Sequence, residues 1–400
     1  MSKKVLLFSR DPGGANVITP IVKPLTERGY EVVLFGKDVA LSKYQAYGLS
    51  GANIMDFVRQ IKALEIEAFL KEQNPDFIIT GTSADDMTEK FIWKAAETIG
   101  IPSFAILDQW VNYGIRFSSY GVSELAQYKS DKTHPFIPTK ILVMDEYAYN
   151  EAIKDGLEPS RILITGQPYF EQLLQYKKRS SVESIEALKN CLNITGNDYL
   201  ITYASEPISK TYKEDDGSAH YWGYTEKTIF VEIIRALTSV VQDVNRRIVL
   251  VVKLHPKEDS DSYVTMINQL TLCDNIVDTA PYLKTDSVKR SKIDVVVEQG
   301  SDPWDLILAS DLICGMSSMF LLEAVILDRP VMSVQIGLNK DNPFILDRRG
   351  ILKSILDGEA LQGGLKKIII ENKSLKHEFK VIDSPVNNVI SHMESHLCQN

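Results

Sequence analysis

Four short segments, Phe77-Ile78-Ile79-Thr80, Phe104-Ala105-Ile106-Leu107, Ile141-Leu142-Val143-Met144 and Ile162-Leu163-Ile164-Thr165, are apolar at nearly every position rather than at every second one. A strand with one wet face alternates. A strand apolar on both faces must be covered on both, and a parallel sheet with helices on its two sides provides that cover. The spacing predicts strands over 5–9, 31–35, 76–80, 103–107, 140–144 and 161–165, with helices near 15–28, 56–72, 85–99 and 146–155 between them.

The same alternation restarts near residue 195. Strands are expected at 199–204, 248–254, 275–277, 312–314 and 331–334, with helices at 225–243, 260–269, 303–308 and 318–327. A chain of 400 residues exceeds what a single hydrophobic core usually serves, so the restart reads as a second domain. The expected division is an N-terminal Rossmann-like domain over 1–172, a polar Lys- and Ser-rich linker over 173–194, and a C-terminal Rossmann-like domain over 195–382. A last amphipathic helix over 383–400 is read as packing back on the first domain.

Composition excludes several classes. The net charge of −9, without a long basic block, argues against a nucleic-acid partner. Cys191, Cys273, Cys314 and Cys398 stand far apart with no CxxC pair, so neither a structural zinc site nor a disulfide framework is expected. No apolar run approaches the roughly 18 residues a membrane span needs, and the run Val5-Leu6-Leu7-Phe8 is too short for an export signal. The expectation is a cytoplasmic protein, with peripheral contact at the inner membrane face and the oligomeric state both left open.

Candidate chemistry collects where strands end, because open α/β sheets bind ligands outside the carboxyl ends of their strands. After the first strand comes Arg10-Asp11-Pro12-Gly13-Gly14, where the glycines let the backbone turn sharply before a helix N-terminus, an anion-attracting position. Asp11 is the acid or base candidate of this half. Thr82-Ser83-Ala84-Asp85-Asp86 offers hydroxyls and carboxylates for a sugar, or equally an N-cap with an acidic first turn. Asp108-Gln109-Trp110-Val111-Asn112-Tyr113 combines an acid, amides and aromatic rings, a set suited to carbohydrate contact.

In the second half, Lys253-Leu254-His255-Pro256 ends a strand, and the proline keeps His255 extended at that end. There an imidazole could donate to, or protonate, a departing phosphate. Further on, Gly315-Met316-Ser317-Ser318 leads into a helix carrying Glu323. Its hydroxyls and free backbone amides could make a phosphate cradle with Glu323 facing a ribose, or equally be an ordinary N-cap serine and a solvated glutamate.

This combination, His255-Pro256 followed about sixty residues later by Ser317-Ser318, Glu323 and Asp328-Arg329-Pro330, resembles the C-terminal half of GT-B enzymes. The nearest pattern is the HP-motif group of bacterial polysialyltransferases, Kdo transferases and CDP-glycerol glycerophosphotransferases. The segment 155–168 also looks like the one that closes the first domain of many GT-B proteins. The resemblance implies two Rossmann-like domains with parallel sheets facing a central cleft. It implies donor-phosphate contacts from His255, Pro256, Ser317 and Ser318, with His255 assisting departure of the nucleotide. It gives Glu323 to the ribose and Ser205 to the first strand end of the donor domain, with Lys253 and Gly315 in the same nucleotide-binding set and Glu206 and Lys210 as weaker candidates.

The acceptor side is expected around Gly13, Gly14, Asp85, Asp108 and Trp110. The family's acidic-acidic-Gly motif is missing from the first half. Asp215-Asp216-Gly217 stands in the wrong half, so the base role falls to Asp11, then Asp108 or Asp85. No Asp-X-Asp pair sits at a strand end of the donor half, so no metal and no cofactor beyond the activated sugar are expected.

Three functions follow in order of expectation. The first is an inverting glycosyltransferase of surface-polysaccharide or glycoconjugate synthesis, using a CMP- or CDP-activated donor and a carbohydrate or lipid-linked acceptor. The second is a hydrolysing UDP-sugar 2-epimerase, which shares the fold and the His-Pro but usually shows Asp-Ser-Gly-Gly where Cys314-Gly315-Met316-Ser317-Ser318 stands. The third is a non-catalytic nucleotide-binding protein.

Overall fold

A computed structural model describes residues 2–212, 220–244, 246–274, 277–278 and 293–397. Asp215, Asp216 and Gly217 lie outside the described residues. The chain divides into two compact units, Met1–Gln172 with Val381–Asn400, and Leu173–Lys380.

The first unit is built on seven parallel strands, β1 (Lys4–Ser9), β2 (Glu31–Gly36), β3 (Ala52–Asn53), β4 (Phe77–Thr80), β5 (Ser103–Ile106), β6 (Lys140–Val143) and β7 (Ile162–Ile164). Their order is β3-β2-β1-β4-β5-β6-β7. Two of the two-sided apolar runs are covered throughout, with every residue of β4 and β5 buried, whereas β7, at the edge of the sheet, leaves Ile164 37% exposed. The order reverses between β1 and β4, whose register pairs Phe8 with Thr80. In doubly wound sheets such a reversal is where ligands bind, outside the carboxyl ends of the strands. The helix Pro385–Leu397 belongs to this unit; Val389, Ile390 and Met393 are buried, and Asn388 Nδ2 donates to the Thr165 carbonyl at 2.9 Å.

The second unit has six parallel strands, β8 (Tyr199–Ala204), β9 (Ile248–Lys253), β10 (Val277–Asp278), β11 (Ile293–Glu298), β12 (Leu312–Gly315) and β13 (Val331–Ser333), in the order β10-β11-β9-β8-β12-β13. The helix Glu226–Val241 covers one face. Its Ile229, Phe230, Ile233, Leu237 and Val240 recur at the three-to-four spacing that makes one apolar stripe, and all are buried. Thr225 caps it reciprocally with Thr228. The order of this sheet reverses between β8 and β12.

Two parts of the sequence reading change. Residues 173–194, expected as a linker, are largely helical, with Pro168–Arg179 running through the start and Val182–Cys191 through the end. Their acidic and basic residues lie at helical rather than loop positions, and Tyr176 donates to Asp305 at 2.7 Å. Strand β11 was not assigned from sequence, because its Asp294 and Glu298 break the apolar run. Asp294 is accommodated by an ion pair with Arg247 at 2.7 Å.

Among the described residues no helix is long and apolar enough to cross a membrane.

Candidate functional site

In the first unit the groups at the carboxyl edge are heavily committed to one another. Gly13 sits in the first turn of the helix Pro12–Glu27, and a Cβ there would lie 1.8 Å from Asp108 Oδ2. A Cβ on Gly81, at the end of β4, would meet the Gly14 Cα at 2.7 Å. These glycines therefore admit a carboxylate of the same unit and a neighbouring backbone. Neither position leaves room for a side chain.

Asp108 is 7% exposed and accepts from Arg116 Nη1 at 2.8 Å; the same nitrogen donates to Thr82 Oγ1 at 2.8 Å. Burial raises the Asp108 carboxyl and Arg116 opposes the rise. Arg116 was not singled out in the sequence. Its signal was only a basic residue inside an otherwise apolar turn.

Trp110, expected as a sugar platform, is 2% exposed. Its indole nitrogen donates to Asp145 at 3.0 Å and its ring stacks on Phe170 at 5.8 Å, so its faces are spent on the core. Asp85 is exposed but accepts from the Val122 amide at 2.6 Å, tying down a loop. Asp86 pairs with Lys37 at 2.6 Å and accepts from the Thr88 amide; against the cost of burial, these two hold its carboxyl below the usual range. Asp11 is partly exposed, stands at the N-cap without a side-chain capping bond, and pairs with Arg10 at 2.8 Å. Arg10 also reaches Asp38 at 2.9 Å.

Sequence reasoning passed over Glu89, on the helix Thr88–Ile99. It is 1% exposed, and neither carboxyl oxygen has a hydrogen-bond partner among the described residues. Burial, reinforced by Asp86 and Asp11, pushes its carboxyl up to about 8.

The second unit gathers a different set, at the adjacent carboxyl ends of β9, β8 and β12. His255 is half-buried after β9. Its amide donates to Glu258 Oε2 at 2.8 Å, and its Nδ1 accepts from the Lys257 amide at 3.1 Å. An acceptor at Nδ1 leaves the proton of the neutral ring on Nε2. Burial, with Lys257 beside it, lowers the His255 pKa and favours that neutral form.

Glu258 Oε1 accepts from Ser205 Oγ at 2.6 Å, and Ser205 shares a second hydrogen bond with Tyr263 Oη at 2.5 Å. Glu258 lies three residues beyond His255, a turn spacing that could have marked it; Tyr263 carried no local signal.

At the reversal between β8 and β12, Glu206 Oε1 accepts from the Ser317 amide at 2.6 Å and Oε2 from Ser317 Oγ at 3.1 Å. These donors open the helix Met319–Ile326, whose N-cap is Ser318. Ser318 Oγ is out of contact with solvent and has no partner among the described residues. Burial raises the Glu206 carboxyl to about 6, with the Ser317 bonds opposing and Glu258 adding to the rise.

The structure thus brings Ser205, His255 and Ser317–Ser318 to neighbouring strand ends, together with Glu206 and Glu258. Pro256 is exposed beside His255. Three expected members stand apart. Lys253 Nζ is held by the carbonyls of Gln299 and Ser301 at 3.1 and 3.0 Å. A Cβ on Gly315 would meet Leu321 Cδ1 at 2.7 Å and the Ala204 carbonyl at 2.9 Å, so that glycine serves strand packing. Glu323 is buried and engaged within the protein rather than open to a ribose. Among the described residues no group of three or more acidic, His or Cys side chains is arranged to hold a metal.

No known family profile matches the sequence, and no curated protein matches it. Solved structures do match along their whole length. A UDP-GlcNAc 2-epimerase from Methanocaldococcus jannaschii is 14% identical with a TM-score of 0.65, covering 98% of this chain and 99% of its own. One from Neisseria meningitidis, bound to UDP-GlcNAc, is 13% identical with a TM-score of 0.64, covering 99% and 100%. The Anabaena protein HepE in complex with UDP is 13% identical with a TM-score of 0.56, covering 98% and 95%. At these identities the likeness shows the fold, two Rossmann-like units of GT-B type. The epimerases among these proteins are not members of the HP-motif transferase group that the sequence resembled.

Proposed function

We propose that this chain is an enzyme acting on a UDP-activated sugar, and that it follows the acceptor-free course of a 2-epimerase rather than transfer from a CMP- or CDP-activated donor. The observation that carries the reading is the donor set of the second unit: a neutral His255 with its proton on Nε2, beside the β8–β12 reversal where Ser317 directly precedes the N-cap, Ser318, of a helix. Such a set suits the oxygen of a departing phosphate. The full-length likeness to epimerases bound to UDP-GlcNAc favours a uridine nucleotide and this reaction over the transferase.

In this reading a carboxylate removes the proton on C2 of the sugar while the C1–O bond breaks and its electrons leave with UDP, forming a C1–C2 double bond. Return of UDP, or addition of water, with protonation of C2 on the opposite face completes inversion. His255 Nε2–H stabilises the charge that grows on the leaving phosphate oxygen. Asp11 is the proposed proton acceptor of the first unit, because its carboxylate, although paired with Arg10, is 31% exposed, against 7% for Asp108 and 14% for Asp86 in their ion pairs, and Asp85 is held on a loop amide. Carbon protonation by a side chain rather than by solvent is the general acid–base step that such positioning accelerates.

The test is incubation of the purified chain with UDP-GlcNAc alone in deuterated water. The expected result is the C2 epimer, free or UDP-bound, carrying deuterium at C2. No exchange and no new sugar, from a folded chain that turns over CMP- or CDP-sugars once an acceptor is added, restores the transferase reading.

A further inference from the structure

The seat assigned to the donor phosphate already holds an anion of the chain itself. Glu206 takes the Ser317 amide and the Ser317 hydroxyl at the N-terminus of the helix Met319–Ile326, as a bound phosphate would. The position is the order reversal between β8 and β12, the place in a doubly wound sheet where ligands bind. Ser318 Oγ, out of contact with solvent and without a partner among the described residues, leaves hydrogen-bonding capacity that one carboxylate does not use.

Two anions cannot occupy one set of donors. We infer that Glu206 is an internal occupant of the phosphate seat and must swing away for a nucleotide diphosphate to bind. This rests on the reading of the second unit as the nucleotide site, and it names what governs entry to that site.

The seat is held against a cost. Burial and the neighbouring Glu258 both disfavour the Glu206 carboxylate. Tyr203 and Tyr224, which also face it, and Glu226, which holds the Ser209 amide at 3.0 Å, bring no cation to it. A dianionic phosphate, with more acceptor oxygens, gains more from the same amides and from the Ser318 hydroxyl. The apparent affinity for any ligand is reduced by the fraction of molecules in which the seat is empty.

The experiment is calorimetric titration of the wild type, Glu206→Ala and Glu206→Gln with UDP, CDP and inorganic pyrophosphate. If the seat is empty in about one molecule in ten, Glu206→Ala binds pyrophosphate and UDP roughly tenfold more tightly. Glu206→Gln falls between, because the amide keeps the shape and one acceptor but not the charge. Equal or weaker binding of every anion by a folded Glu206→Ala overturns the inference, as does failure of all three to bind it. If Glu206→Ala does not fold, Glu206→Gln decides: affinity no better than wild type overturns the inference. A gain for pyrophosphate without any preference for UDP or CDP over it leaves the displaced carboxylate standing and removes the nucleotide reading instead. Tight UDP binding by the wild type, unchanged in both variants, does the reverse.

Discussion

Both units are parallel sheets whose strand order reverses beside their first strand, yet their carboxyl edges solve the problem of polar groups in opposite ways. At the edge of the first unit, carboxylates are matched to cationic partners: Arg10 serves Asp11 and Asp38, Lys37 serves Asp86, and Arg116 serves Asp108. At the edge of the second, Ser205, His255 and Ser317 are neutral donors arranged around two carboxylates, Glu206 and Glu258. The first arrangement is anchored by Arg116–Asp108, its buried pair, because breaking a buried pair strands a charge. The second is adaptable, because an incoming anion can replace a carboxylate donor for donor. The same strand-end geometry can therefore serve as a brace or as a receptor, depending on whether its donors are cations with fixed partners or amides and hydroxyls.

The sharpest way to break this contrast is Arg116→Met. It leaves Asp108 buried and alone beside Gly13, and should cost about 3–5 kcal/mol in urea unfolding; a loss below 1 kcal/mol would mean the first edge is not braced by its ion pairs. On the other edge, His255→Ala should lower turnover of UDP-GlcNAc by roughly 10²–10³-fold, the usual cost of one donor to a developing oxyanion. The unfolding midpoint should change little, and an equal fall in both quantities would make His255 structural.

Glu89→Gln sharpens the comparison through pH. The Glu89 carboxyl is held near 8 in the native chain, above its ordinary value of 4.5, so the native state keeps a proton that the unfolded state sheds. The stability this gives is full below pH 4.5 and is lost as pH rises through 8, at about 1.4 kcal/mol per pH unit. Glu89→Gln should flatten that slope and stabilise the chain at neutral pH. A slope identical to wild type between pH 5 and 8 would place the proton elsewhere.

Smaller effects follow from packing. Gly13→Ala drives a methyl into Asp108 and should cost about 1–3 kcal/mol, measured by thermal unfolding. Trp110→Phe should lose about 1 kcal/mol with its hydrogen bond to Asp145 and leave turnover unaltered; a specific fall in turnover would revive the sugar-platform reading.

Much of the fold is legible in the amino-acid sequence alone. The two-faced apolar runs between helical stretches point to strands of a parallel sheet, and the restart near 195 anticipates a second sheet of the same kind. Pro256 disfavours helix at His255, after a strand end, and Ser317-Ser318 before an apolar run marks a helix start. These are local signals, in which a few adjacent residues determine burial, turn and cap.

The pairings are not legible. Glu206 meets Ser317 across 111 residues, Trp110 meets Asp145 across 35, and the space over Gly13 is filled by Asp108. The His255–Glu258 contact, only three residues long, is the exception that sequence could have shown. Sequence by itself determined the parallel sheets and the strand ends at which polar side chains collect. Only the tertiary structure decided which of those side chains are spent on one another and which are left to meet a ligand. The reason is that a polar group's availability depends on partners that folding brings from distant parts of the chain, and local pattern carries no record of them.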